Sequence, residues 1–306
     1  MQERSDTMLM QLLYEISNHV QGINNLCDIP DLDLPTDTKK QIENIIAEAY
    51  TDYQEFIETP MPLYNLHIKP QHGLELASTE YIKGIGHNLY ISDTLLKAPH
   101  RKEILYHEFT HIYDKEYLDK TYAYRMGDSK THRYTPVHLE IHAEQVRFLY
   151  MLGCKTISDV PQNVTPHSII YDLDGNQVEF YDYLHTIKER IIKEFVDKPS
   201  KNKRISDSAL ENMINKICYY IGALTVYQKY CDYKLDDVMD LSIISDFWNI
   251  NIGTIIDFYC NHDIHRPTMK TIPKIKIADM GNILMFELPK KAREKYTILG
   301  DIKGKK

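Results

Sequence analysis

The chain has 306 residues, of which 43% are hydrophobic and 26% charged, with 12 Gly and 13 Pro. This composition excludes a disordered or fibrous chain and is typical of a globular protein. The formal net charge of −8 argues against a general binder of polyanions, so no direct contact with nucleic acid is expected.

Targeting signals are not apparent in the sequence. The N-terminus lacks a basic start followed by an uninterrupted apolar core, and no run approaches the roughly 20 apolar residues of a membrane span. The five cysteines are scattered without a CxxC pair, which is typical of reduced thiols. We therefore expect a soluble cytoplasmic protein without a membrane partner.

Helical and extended patterns follow one another in the first part of the chain. Apolar residues recur with helical spacing at 7–26 and at 37–58, where Asp37 is a candidate N-cap. Between 60 and 91, β-branched and aromatic residues around Gly84 and Gly86 predict two or three short strands.

Helices dominate the predictions for the rest of the chain. Two helices are predicted at 101–118 and 135–152, with Pro136 in the first turn of the second. A polar, tyrosine-rich loop would join them. Residues 168–182 predict a hairpin that turns at Asp174-Gly175, and 206–265 is helical in pattern.

Together these patterns predict an α+β protein in three parts. Residues 1–59 would form a helical N-terminal region, and residues 60–197 a central part that contains the small sheet. Residues 205–306 would form a mainly helical C-terminal region with a basic tail, after a polar linker at 198–204.

The stretch YHEFTHIYD at 106–114 has two histidines four residues apart and a glutamate after the first. On a helix that turns about 100° per residue, His107 and His111 lie about 40° apart, so both imidazoles can reach one ion. Glu108 flanks them and could take a proton from a water molecule at that ion. The opposite side carries the apolar residues predicted to be buried, Leu105, Phe109 and Ile112.

A catalytic zinc ion needs a third protein ligand. The next predicted helix, VHLEIHAEQVRF, offers Glu140 and Glu144 on one face and His138 and His142 on other sides. Only one of these faces can point at the ion, so a carboxylate and an imidazole are alternatives.

Further residues could support the chemistry of such a site. Asp114 returns to within about 20° of His107 around the helix and could accept its second ring N–H. An oxyanion would need a donor besides the metal. The nearest candidates in sequence are Tyr122, Tyr124, His132 and Tyr134.

Two stretches resemble known metallopeptidases. EIHAE at 140–144 looks like the Glu-x-x-Ala-Asp pattern that supplies the third zinc ligand in gluzincin-type enzymes. GHNLYISDTLL, followed by RKEILYHEFTHIYD, is similar to the strand, connection and HExxH helix of ImmA/IrrE-like metallopeptidases, over roughly residues 83–150.

This resemblance implies a zincin-like core, a small twisted sheet packed on the HExxH helix and on a following ligand helix. It implies Zn²⁺ bound by His107, His111 and Glu140, with Glu108 as the catalytic base. Glu144 stays the alternative third ligand.

The implied function is that of a zinc-dependent intracellular endopeptidase acting on a protein or peptide substrate, a specific regulatory protein such as a DNA-binding repressor. The strand 87–92 would bind an extended substrate by β-addition. The alternative is a non-proteolytic interaction or regulatory protein of zincin fold, in which the metal is structural.

Overall fold

The structure, a computed structural model, describes residues 30–70, 76–82, 85–98, 100–122, 129–172, 175–197, 207–233, 240–249, 251–261, 264, 283 and 287–294. Its elements form an α+β protein, as predicted. Within the described residues, no helix has both the length and the apolar character needed to cross a membrane. The predicted helix at 7–26 and the linker at 198–204 lie outside the described residues.

Helix α1 (Thr36–Phe56) confirms the second predicted helix. Asp37 is not its N-cap, because the helix begins one residue earlier and Pro35 holds the capping position. Asp37 lies instead in the first turn, where a negative charge is favourable to the helix dipole.

Three short strands form a mixed sheet, where the sequence predicted two or three strands. They are β1 (Tyr64–Lys69), β2 (Ala77–Ile82) and β3 (Gly86–Ser92), in the order β1-β3-β2. β3 pairs in parallel with β1, from Tyr64 opposite His87, and antiparallel with β2, from Ala77 opposite Ile91. Because β3 is central and paired on both sides, it cannot pair with an extended substrate as well, and the prediction of β-addition at 87–92 is wrong. β2 and β1 are the edge strands of this sheet.

Two long helices follow the sheet. Helix α2 (Arg101–Tyr122) and helix α3 (Ser129–Met151) confirm both predicted helices, and each is longer than predicted. Residues 119–122 and 129–134, which were expected in the loop between them, are therefore helical. Pro136 lies inside α3 and not in its first turn, because the helix starts seven residues before it.

The hairpin is formed by β4 (Ile169–Tyr171) and β5 (Gln177–Glu179), with Gly175 in its turn at a φ of +81°. The hairpin was predicted to continue to residue 182, which is wrong for its last three residues, because helix α4 (Phe180–Ile192) begins directly after β5. The C-terminal helices are α5 (Asp207–Tyr230), α6 (Ser242–Trp248) and α7 (Ile252–Cys260).

The hydrophobic core is continuous from α1 to the C-terminal helices. The buried side of α2 packs on α1, where Phe109 meets the rings of Tyr50 and Tyr53 at centroid distances of 4.8 and 5.5 Å. α3 lies between α2 and α5, and it is buried on nearly all sides from Val137 onward. The centre of the molecule is therefore the α2–α3–α5 layer, and the polar residues it buries are the ones that require an explanation.

Candidate metal centre

Helix α2 presents its histidines on the side away from α1. Leu105, Phe109 and Ile112 are each 1% exposed or less, so the predicted buried stripe is confirmed. The same rotation of the helix brings His107 and His111 together on the α3 side, where both are buried. Their Nε2 atoms lie 3.2 Å apart.

Glu140 of α3 faces both histidines. One of its carboxylate oxygens lies 3.3 Å from Nε2 of His107, and the other lies 3.4 Å from Nε2 of His111. The two Nε2 atoms and the carboxylate group therefore form a triangle of potential ligand groups, in which each nitrogen lies next to a different oxygen of Glu140. These are the three residues that the sequence predicted to share a metal ion, drawn from two helices.

The dimensions of this triangle fit a tetrahedral zinc ion. With bonds of about 2.0–2.1 Å, two ligand atoms of a tetrahedral site lie about 3.3 Å apart. The distance of 3.2 Å between the two nitrogens agrees with that value, and each nitrogen lies at a similar distance, 3.3 or 3.4 Å, from one of the two oxygens of Glu140. Two imidazoles and one carboxylate are also a common donor set of catalytic zinc sites, which keep a fourth position open.

Glu108 lies beside the two histidines. One potential ligand atom of each of His107, Glu108 and His111 lies within 4.8 Å of the other two, so this cluster could hold a metal ion. Glu108 is buried as well. Its carboxylate is thus close enough to act on a molecule that approaches the same point as the two imidazoles.

Glu144 contacts the other side of His107. One of its oxygens lies 3.5 Å from Nδ1 of His107, the ring nitrogen that points away from the triangle. Arg147 donates to both oxygens of Glu144, at 2.9 and 2.7 Å, and the Tyr183 hydroxyl donates to one of them at 3.0 Å. Glu144 is therefore placed to orient His107, while Glu140 lies next to the Nε2 atoms of both histidines.

The remaining candidates from the sequence lie elsewhere. Asp114 was predicted to support His107, but its carboxylate contacts Nδ1 of His142 at 2.7 Å. The reason is that Asp114 lies two helical turns beyond His107, beside a different residue of α3. His138 contacts the Tyr259 hydroxyl of α7. His138 and His142 thus connect helices and do not join the cluster.

The charges in the centre are strongly coupled. Burial lowers the pKa of His107, but the carboxylates of Glu140 and Glu144 outweigh burial and raise it to about 10. Burial raises the pKa of Glu140, and the positive charge of the histidines more than reverses this, so its carboxyl stays ionised. Without a metal ion the cluster therefore retains a proton that a metal would have to displace.

Helix α5 closes one side of the centre, which the sequence did not predict. The ring of Tyr219 stands edge-on to His107 at a centroid distance of 5.9 Å. Burial, and then the negative charges of Glu140 and Glu144, raise the pKa of its hydroxyl well above the usual value. The hydroxyl thus keeps its proton and remains a hydrogen-bond donor.

Gly222 lets α5 approach α3 this closely. A Cβ atom at residue 222 would lie 2.7 Å from Cβ of Glu144 and 2.9 Å from the carbonyl oxygen of Ile141. Gly222 follows Tyr219 by three residues and so lies on the same side of α5. A single glycine in an otherwise buried aromatic helix was the signal in the sequence that could have indicated this contact.

The predicted oxyanion donors cannot be placed, because Tyr124 and the side chains of Tyr122, His132 and Tyr134 lie outside the described part of the structure. Comparison of the chain with models of protein families, with curated proteins and with solved structures finds no match.

Proposed function

We propose that this protein is a zinc-dependent peptidase with a zincin-like core. His107, His111 and Glu140 would hold the ion, and Glu108 would be the general base. The single observation that supports this best is the triangle of 3.2, 3.3 and 3.4 Å between the three ligand groups, because it has the size and donor set of a tetrahedral zinc site.

A bound zinc ion would supply Lewis-acid chemistry, which polarises a peptide carbonyl and favours ionisation of a water molecule at neutral pH. The residues of the chain would do the rest. Glu108 would accept the proton of the attacking water and deliver it to the leaving amine. Tyr219 would donate a hydrogen bond to the oxygen that becomes negative in the transition state.

Glu144 and Arg147 would fix the orientation of His107. A carboxylate that accepts the second ring N–H of a metal-binding histidine sets its tautomer and holds the ring in place. The bidentate contact with Arg147 in turn holds Glu144 in one position.

The expected substrate is an extended segment of a regulatory protein, and the resemblance to ImmA/IrrE-like peptidases suggests a DNA-binding repressor in the cytoplasm. β2 is the edge strand that packs on α2, so it is the strand where β-addition would bring a peptide towards the cluster.

The first test is metal content by mass spectrometry, on protein purified without chelator or nickel. We expect about one zinc ion per chain in the wild type and a loss of zinc in His111→Ala and in Glu140→Ala. The matched controls are His185→Ala and Glu43→Ala, which remove exposed residues of the same types. Zinc that persists in Glu140→Ala would exclude Glu140 as the third ligand.

The second test separates hydrolysis from binding. Glu108→Gln should keep its zinc and lose proteolysis of partners captured from cells, because the amide cannot accept the proton. If the alternative holds and the chain is a non-proteolytic interaction protein with a structural metal, partner binding survives Glu108→Gln and no cleavage occurs with the wild type either.

A further inference from the structure

Lys115 lies between the candidate metal centre and the edge of the sheet. It follows His111 by one helical turn of α2, on the same side of the helix. Its ammonium group donates to the backbone oxygen of Thr79 in β2 at 2.9 Å and to the Thr79 hydroxyl at 3.3 Å. The side chain therefore reaches from the metal-binding helix to the edge strand.

The backbone carbonyl of Thr79 points away from β3, towards the free edge of β2. The backbone N–H of Ser92 in β3 donates to the oxygen of Leu76 at 2.8 Å, so Leu76 and Ser92 form a hydrogen-bonded pair of the antiparallel ladder between β2 and β3. Such pairs alternate along a strand, so the backbone groups of Thr79 face the free edge of β2. Lys115 thus occupies the acceptor that a peptide added at this edge would otherwise use.

The ammonium group has an acidic environment but no acidic contact. Within the described residues, Lys115 makes no ion pair, and its two hydrogen bonds to Thr79 leave one N–H to donate. Burial lowers its pKa, and the negative charges of Glu108 and Glu140, and then those of Glu80 and Asp114, oppose that shift. A divalent cation at the centre would offset the charges of Glu108 and Glu140, so less negative charge would surround the ammonium group and a further carboxylate would be attracted to it.

We propose that Lys115 selects substrates that carry a carboxylate close to the bond to be cleaved. This inference rests on the proposed function, since it assigns the substrate class of the same centre. The carboxylate takes the free N–H of the ammonium group without displacing the Thr79 contacts. It belongs either to an Asp or Glu side chain or to the C-terminus of the peptide.

The test uses the full-length, zinc-loaded chain with Glu108→Gln, which would hold peptides without cleaving them. A synthetic library of random dodecapeptides, made with acid and with amidated C-termini, is passed over this protein and the retained peptides are sequenced. The same is done with Lys115→Met and Lys115→Arg added. Matched Asp and Asn versions of a retained peptide are then compared by fluorescence anisotropy.

We expect the Asp peptide to bind at least about ten-fold more tightly than the Asn peptide, as one hydrogen bond between charged groups allows. Lys115→Met should reduce this ratio to about one and leave binding of the Asn peptide unchanged, whereas Lys115→Arg should retain it. Selection that is lost on amidation identifies the C-terminal carboxylate, and selection that survives identifies a side chain.

Two results would overturn the proposal. In the first, the retained peptides share no carboxylate, or no peptide is retained at all. In the second, Lys115→Met weakens binding of the Asp and Asn peptides equally, which indicates that Lys115 only holds α2 and β2 together. If Lys115→Met fails to fold, Lys115→Gln is used in its place, because the amide can still donate a hydrogen bond to Thr79. Carboxylate selection without hydrolysis by the unmutated chain would refute the peptidase, and would leave only the contact between Lys115 and a carboxylate of the bound peptide. Hydrolysis without selection would do the reverse.

Discussion

Removal of the Arg147 guanidinium should destabilise the chain far more than removal of a surface cation. Arg147 is 3% exposed and donates to both oxygens of Glu144, which is 1% exposed. Arg147→Met leaves this carboxylate buried without its cation, next to the Tyr183 hydroxyl at 3.0 Å. Breaking a buried ion pair by removing one partner costs about 3–5 kcal/mol, a large fraction of the 5–15 kcal/mol by which domains are typically stable.

The free energy of unfolding in urea, measured on metal-free protein, checks this expectation. Lys102→Met is the matched control, because Lys102 lies 2.6 Å from Asp52 in a pair whose side chains are 44% and 39% exposed. A pair of this kind contributes only about 0–1 kcal/mol. The double variant Glu144→Gln/Arg147→Met should recover much of the loss, since residue 144 then carries no charge that lacks its cation. Equal effects of Arg147→Met and Lys102→Met would refute the reasoning.

Acid should reduce the difference between the wild type and Arg147→Met. Burial raises the pKa of Glu144, but Arg147 and His107 outweigh burial and lower it from 4.5 to about 2. A group whose pKa is depressed in the folded state contributes stability above its unfolded pKa and loses it as the pH falls through the folded one. The contribution in the wild type should therefore be complete above about pH 4.5 and decline towards pH 2. Urea midpoints measured across this range test the window, and a constant difference would contradict it.

Three further predictions concern the glycines and the tyrosine. Gly222→Ala should lower the free energy of unfolding in urea by about 1–3 kcal/mol, because the added Cβ forces α5 away from α3. Asn212 is exposed on the same helix, so Asn212→Ala should leave that free energy unchanged. Gly175→Ala should also lower it by about 1–3 kcal/mol, since its Cβ would lie 2.1 Å from Nδ1 of His100 at a φ of +81°. Tyr219→Phe should lower kcat for peptide hydrolysis by about 10²-fold or more with zinc content unchanged; an unaltered kcat would remove Tyr219 from the mechanism.

The local parts of the fold and of the centre could be predicted from the sequence. Helical spacing predicted α1 and α2 to within four residues at each end, whereas α3 begins six residues before its predicted start. Rotation about α2 correctly separated His107 and His111 from the buried stripe. Rotation about α3 also indicated that Glu140 and the histidines of that helix cannot face the same point. These inferences succeed because they depend on one helix at a time.

The rest depends on which elements become neighbours. Asp114 has the right angle around α2 to support His107, yet it lies beside His142, because the angle does not fix the distance along the helix. Neither Tyr219 nor Lys115 carries a motif, and both gain significance only through the packing of α5 and β2 near the cluster. α4 was missed although its apolar residues recur every three or four positions, because the preceding hairpin pattern was extended into it.

The close contact of α5 with α3 also has a consequence for the order in which the protein is made. The three groups that would hold the ion lie between residues 107 and 140, whereas Tyr219 follows Glu140 by 79 residues. At about 5–20 residues per second, a ribosome adds this stretch in roughly 4–16 s. During that interval the nascent chain has the imidazoles and the carboxylate but no covering helix. The residues that would bind the metal ion are therefore made before the residue that would complete its chemistry.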